Sequence, residues 1–322
     1  MTPNRRGFLR TIAGAALAYS ARAETKKLAG VFPIAFSPFT EQDKLDLDGL
    51  ASEVRFCNRG GVQGLVWPQI ASAWSTLSDR ERLDGTEAIL SAAKAGKTAI
   101  VIGVQAPEMA ALTRYAKHAA KLGADAIISL PPAGMTDEKA LLDFYQQVGR
   151  ITELPMFAQS TGTMSVDLLV EMFHTIPTFR CVKDEAGNPL TRIAEIRRRT
   201  DGALSVFSGF GVQTMITEMQ LGFAGHCPYT NLSDIYAKAF DLWHAGQHRE
   251  AFDMFGRIQA LASMMPVNTI DIMIARGVFA PSTRTRSAPP VPGAPTKPNP
   301  APAMSPEQIR DTLKEYLGPY LA

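Results

Sequence analysis

Short apolar runs alternate along this chain with longer stretches whose apolar residues recur at helical spacing. Eight runs have strand character, at residues 30–37, 64–68, 98–104, 126–130, 155–159, 179–183, 204–208 and 225–229. Six of them carry almost no charge, as expected of strands buried on both faces. The intervening segments open on helix-start signals. Ser78-Asp79-Arg80-Glu81 reads as a capping box ahead of Leu83, Ile89 and Leu90. Thr136-Asp137-Glu138 precedes Leu141, Phe144, Tyr145 and Val148, and Ser165 precedes Leu168, Leu169, Met172 and Phe173. Regular strand–helix alternation predicts a parallel sheet, and eight units predict its closure into an α/β barrel, the (β/α)8 or TIM barrel. An open doubly wound sheet would call for a glycine-rich phosphate turn after its first strand. The chain reads Pro38-Phe39-Thr40-Glu41 there.

The ends of the chain follow other patterns. Arg5-Arg6-Gly7-Phe8-Leu9-Arg10, an apolar segment at 12–19 and Ala21-Arg22-Ala23 form a twin-arginine leader with a small-residue cleavage site. The apolar segment is too short to span a bilayer. Residues 1–23 therefore predict recognition by the twin-arginine export machinery, a periplasmic destination and no membrane anchoring after cleavage. The barrel is expected over 28–245 and a C-terminal helical extension over 246–322. Within the extension, residues 281–303 are dense in Pro, Ser, Thr and Ala and read as an exposed extended segment. Ser305-Pro306-Glu307-Gln308 then opens a terminal helix.

Charge changes the picture only after the leader is set aside. Of 33 basic residues, Arg5, Arg6, Arg10 and Arg22 lie in the leader, which leaves 29 against 31 acidic ones. That balance gives no support for nucleic-acid or membrane-surface binding. Cys57, Cys181 and Cys227 have no metal-type spacing and are expected to pack in the interior. His244 and His248 stand four apart with Gly246 between them and no third ligand, and His118, His174 and His226 show no metal spacing. No metal and no cofactor are expected.

The chemistry centres on Lys183, which ends the apolar run Phe179-Arg180-Cys181-Val182. An ammonium at the tip of a buried strand is costly to desolvate, a setting that favours a nucleophilic amine able to form a Schiff base with a carbonyl. The alternative is a lysine that ends a strand and points into solvent. Asp184 and Glu185 read as acids that solvate the following loop or cap the helix opening near Asn188.

The segment Val182-Lys183-Asp184-Glu185-Ala186-Gly187-Asn188 resembles the lysine motif of the dihydrodipicolinate synthase / N-acetylneuraminate lyase family. Leu130-Pro131-Pro132 after strand four and Phe207-Ser208-Gly209 at strand seven are similar to that family as well, and the likeness runs from about Leu28 to Gly277. The resemblance implies a class I aldolase or lyase that attaches a 2-oxo acid to Lys183, and a homo-oligomer. The chain departs from the family at several helper positions. The hydroxyl-rich loop after strand two is replaced by Gln69-Ile70-Ala71-Ser72-Ala73, and the strand-five tyrosine falls on Gln159, an amide that shuttles protons poorly. The family's nearby arginine falls within Thr161-Gly162-Thr163-Met164, which has no cation.

Two readings follow. In one, the protein is a Schiff-base-forming lyase or aldolase for a small carbonyl or carboxylate substrate of 2-oxo acid type. Tyr229 is then the candidate proton-transfer group, two residues beyond Cys227 and on the same strand face. Gln69, Ser72, Gln105, Gln159, Ser208 and Thr230 are candidates for a neutral polar pocket. Gly209, in the turn Gly209-Phe210-Gly211, is a candidate for receiving a carboxylate on backbone amides. In the other reading, the exported barrel binds a small ligand or partner without turnover, and Lys183 is a residual contact.

Overall fold

In the computed structural model, which describes residues 26–162, 164–209, 212–265, 267–286 and 304–322, all eight predicted runs contribute strands. These are β1 (Gly30–Val31), β2 (Gly64–Trp67), β3 (Ala99–Gly103), β4 (Ala126–Ser129), β5 (Met156–Ser160), β6 (Phe179–Asp184), β7 (Ser205–Ser208) and β8 (Gly225–His226). Every neighbouring pair is parallel, in the order β1-β8-β7-β6-β5-β4-β3-β2. Ile34, just beyond β1, closes the ring by bridging both Val66 and Tyr229. The result is a TIM barrel.

The helices between strands are α1 (Leu47–Arg59), α2 (Asp79–Ala93), α3 (Met109–Leu122), α4 (Glu138–Gly149), α5 (Val166–Thr175), α6 (Pro189–Arg199), α7 (Met215–Leu221) and α8 (Ser233–His244). Their starts follow the predicted chemistry. Ser78 makes a full capping box with Glu81, and Asp137 and Ser165 accept from Ala140 N and Leu168 N.

Alternation along each strand divides the apolar residues between two cores. One set packs outward against the helices. The other fills the barrel interior, where Phe207 meets Phe32 and Phe157 edge-on at 5.0 and 5.1 Å between ring centroids. Rings of this size need small neighbours. A Cβ on Gly225 would stand 2.2 Å from the Phe207 ring. Continuing the inward-facing columns by two residues leads from Phe157 to Gln159, from Cys181 to Lys183, from Phe207 to Gly209 and from Cys227 to Tyr229. All four side-chain positions border one cavity at the C-terminal mouth.

The C-terminal extension comprises α9 (His248–Met264), α10 (Thr269–Ala275) and α11 (Pro306–Leu317). It is no separate appendage, because residues of α9, α10 and their connection roof that cavity. Arg276, at the end of α10, holds the roof down. It makes two bonds to Asp234 at the start of α8, at 2.6 and 2.8 Å, donates to Asn231 O at 2.9 Å and lies 4.5 Å over the Phe56 ring.

The expectation of an exposed extended segment over 281–303 needs correcting at its near end. Thr283 is buried, Arg284 exchanges backbone hydrogen bonds with Phe39, and Arg286 bonds Asp43, Thr76 O and Glu81 while stacking on Phe39. Residues 281–286 thus dock beside the loop between β1 and α1, where a guanidinium finds two acids and an aromatic face. The remainder of the segment and the leader lie outside the described residues.

Candidate functional site at the barrel mouth

The mouth cavity has a volume of about 460 Å³. Its walls and roof are mainly apolar, with Ile34, Ile70, Leu232, Met265 and Ile272 among them. Lys183 and Glu185 are the charged side chains among its described lining residues. Strand-end placement puts Lys183 at the base of this space, where its side chain is 8 % exposed. The lysine is therefore not the solvent-facing residue of the alternative reading. Nor is it surrounded only by apolar groups, because its Nζ donates to Glu185 Oε1 at 2.7 Å.

Three strands position that carboxylate. Glu185 follows β6, and Gln159 at the end of β5 donates through Nε2 to its other oxygen. At the end of β7, a Cβ on Gly209 would lie 2.2 Å from Glu185 Oε1, so the glycine supplies the room the carboxylate occupies. Sequence reasoning assigned Glu185 to the loop or to a helix cap, and the structure corrects this. Asn188 caps α6 with its own side chain, which accepts from Leu190 N. Asp184, one residue out of phase with Lys183, faces outward beneath the strands. There it accepts from Ser160 and lies 3.5 Å from Arg192. Burial pushes the Asp184 carboxyl up, against the opposing effects of Ser160 and Arg192.

The other candidates separate into two groups. Gln69, Gln159, Gly209 and Tyr229 border the cavity with Lys183. Tyr229 stands at the rim, 45 % exposed, its ring stacked on Phe36 at 5.6 Å. Gln105, Ser72, Ser208 and Thr230 are not brought to the cavity. Gln105 bridges Gln69 and Pro68 O, and Ser72 ties the loop after β2 to Ala35 O. Ser208 donates to Glu218, and Thr230 to Glu53 and Ile34 O. Phe210 and Gly211 lie outside the described residues. Cys227 lies in the cavity wall, and burial pushes its thiol up to about 12, against the lowering effect of Lys183. It is a protonated packing group and not a nucleophile. Among the described residues no group of three or more His, Cys, Asp or Glu is arranged to hold a metal ion.

Fold and site together define a (β/α)8 barrel with a buried lysine at the tip of its sixth strand, opening into a roofed mouth cavity. The chain belongs to the dihydrodipicolinate synthetase family, whose model matches residues 27–281. The 4-hydroxy-tetrahydrodipicolinate synthase of Methanosarcina mazei is 27% identical over 187 residues, 56% of this chain and 62% of that protein. The chain thus matches less than two thirds of that relative's length. The N-acetylneuraminate lyase of Rhizobium meliloti is 24% identical over 278 residues, covering 84% of this chain and 89% of the relative. Among solved structures, dihydrodipicolinate synthase from Rhodopseudomonas palustris superposes with a TM-score of 0.74 at 21% identity, covering 92% of this chain and 98% of the other. That likeness concerns the fold.

Proposed function

We propose that this protein is a Schiff-base-forming lyase or aldolase that takes a 2-oxo acid-type substrate onto Lys183. The observation that carries the reading is the lysine amine at the base of a roofed cavity, paired with a carboxylate and otherwise walled by apolar and neutral groups. As a free amine it attacks the substrate's carbonyl carbon, and loss of water leaves a protonated imine. The imine withdraws electrons from the neighbouring carbon, so that a C–C bond there can break or form, or a proton can leave. The apolar walls exclude water from the imine, and Gln69 and Tyr229 border the part of the cavity that the rest of the substrate would occupy. Family membership supports the same chemistry. The relatives' own names span a synthase, an aldolase, a lyase and a dehydratase, so they support the carbonyl class and not one substrate.

Borohydride added to the protein with pyruvate or a larger 2-oxo acid should leave one reduced adduct, on the peptide containing Lys183. Lys183→Ala should abolish it with the fold intact. Adducts spread over surface lysines, or none, would favour a barrel that binds its ligand without turnover. We further propose that the protein works in the periplasm, on the strength of the twin-arginine pattern in residues 1–23. Replacing Arg5 and Arg6 by Lys should retain the precursor in the cytoplasm, as read by fractionation. Unchanged delivery would remove the export proposal alone.

A further inference from the structure

We propose that Glu185 is the proton-relay residue for imine formation at Lys183, an assignment that rests on the Schiff-base reading above and deepens it. The amine cannot attack while it carries three protons, and the carbinolamine that follows cannot lose hydroxide without an acid. A group serving both steps must touch Nζ itself. Gln159 cannot, because an amide neither takes nor gives a proton near neutral pH. Tyr229 stands at the rim with its ring against Phe36. Glu185 Oε1 is 2.7 Å from Nζ, while Gln159 holds the other oxygen and Gly209 leaves the space that the carboxylate fills. The carboxylate is thus fixed from two sides, in contact with the reacting atom and at the edge of the cavity.

The relay balances. Glu185 accepts one proton from the Lys183 ammonium, and the freed lone pair forms a C–N bond to the carbonyl carbon as the C=O π pair moves onto oxygen. The protonated Glu185 delivers its proton to that oxygen. The new C–N nitrogen, which still bears two protons and a positive charge, returns one of them to Glu185. The same proton then passes to the hydroxyl, the C–O bond breaks and water departs, leaving a protonated imine with one N–H. The ammonium's three protons end as one on nitrogen and two on water. Glu185 finishes as a carboxylate beside the iminium, where its charge offsets the cation through the later electron withdrawal. Gln159 is a positioning residue in this scheme.

The experiment is borohydride trapping of the full-length protein with pyruvate and with 2-oxobutyrate, quenched at timed intervals and read by intact mass. Glu185→Gln should slow adduct formation about 100-fold or more, with an unchanged circular dichroism spectrum. Glu185→Ala should be slowed similarly and recover at least part of its rate on addition of formate, which can enter the vacated space and carry the proton. Gly209→Ala should also be slow, because its Cβ displaces the flexible end of Glu185 with little cost to the fold. Trapping at the wild-type rate in Glu185→Gln, or Glu185→Ala insensitive to formate, would overturn the relay while leaving the Schiff-base reading in place. A wild-type protein that forms no Lys183 adduct with either probe would overturn both.

Discussion

At the ends of β7 and β8, Glu218 of α7 accepts hydrogen bonds from Ser208 and the part-buried Thr214 at 2.7 Å and pairs with the buried His226 at 2.7 Å. At the ends of β5 and β6, Gln159, Lys183 and Glu185 also bond one another, but they border a cavity. Each cluster pairs a glutamate with a basic side chain near the strand ends. Burial pushes the Glu218 carboxyl up, yet its bonds to His226, Thr214 and Ser208 outweigh that and leave it below its ordinary value. Its bonding capacity is spent on joining β7, β8 and α7. In the other cluster, the lysine's hydrogen-bonded partner among the described residues is two positions along its own strand path, and the space above it is open to a ligand. A buried polar cluster thus reads as scaffold or as site according to where its groups face.

The largest expected effect in breaking this comparison is at Glu218. Glu218→Ala strips His226 and Thr214 of their acceptor inside the protein and should cost about 3–5 kcal/mol of stability, measured by urea unfolding. Lys183→Ala, by contrast, should remove the adduct and cost less stability than Glu218→Ala, because Glu185 keeps Gln159 and some solvent contact. A destabilised Lys183→Ala protein with an indifferent Glu218→Ala protein would reverse the assignment of roles.

A third buried acid, Glu53 of α1, sharpens the scaffold side through pH. Burial pushes its carboxyl up to about 8, although the Thr230 hydroxyl and the Phe36 amide both bond it and pull the other way. Between its ordinary value of 4.5 and about 8, the unfolded chain releases a proton that the folded protein retains. The Glu53 contribution is therefore fully present below pH 4.5 and is lost as pH rises toward about 8, at up to about 1.4 kcal/mol per pH unit. Glu53→Gln should remove that slope, seen as a smaller drop in the unfolding midpoint between pH 5 and pH 8 than in the wild type. An identical drop in both proteins would show that the titration lies elsewhere.

The smallest effect is expected at Ile70, which is 57 % exposed on the loop after β2 and borders the cavity. Ile70→Ala should change stability by about 0.5 kcal/mol or less. It should weaken the concentration dependence of trapping for a long-chain 2-oxo acid more than for pyruvate, since only the longer substrate reaches the loop.

Much of the molecule was legible from residue periodicity. The charge-free runs gave the strands, the Ser78, Asp137, Ser165 and Ser305 signals gave helix starts, and all four cap their helices. Lys183 was legible because it ends a buried strand. Glu185 was missed although a signal existed. The alternation that links Cys227 to Tyr229 also runs from Cys181 through Lys183 to Glu185, and extending it one step past the strand end turns the carboxylate inward. The same parity sends Ser208 and Thr230 away from the cavity, since each is one residue out of phase with an inward neighbour. Parity could not foresee the roof. That α9 and α10 cross the mouth rests on long-range contacts such as the Arg276–Asp234 pair, whose members lie 42 residues apart and carry no local pattern that links them.

The close fit of Gly209 against Glu185 carries a consequence for the protein's relatives. Positions 185 and 209 compete for one volume across two neighbouring strands, so a change at one alters what the other can hold in place. A long acid at the first position can hold this place beside the lysine only if the second is glycine. A small residue at the first position releases that constraint, and on the proton-relay proposal the proton carrier would then come from another strand. On the same proposal, the identity of this residue pair should separate lineages by the route their protons take, and it can be read from sequence alone.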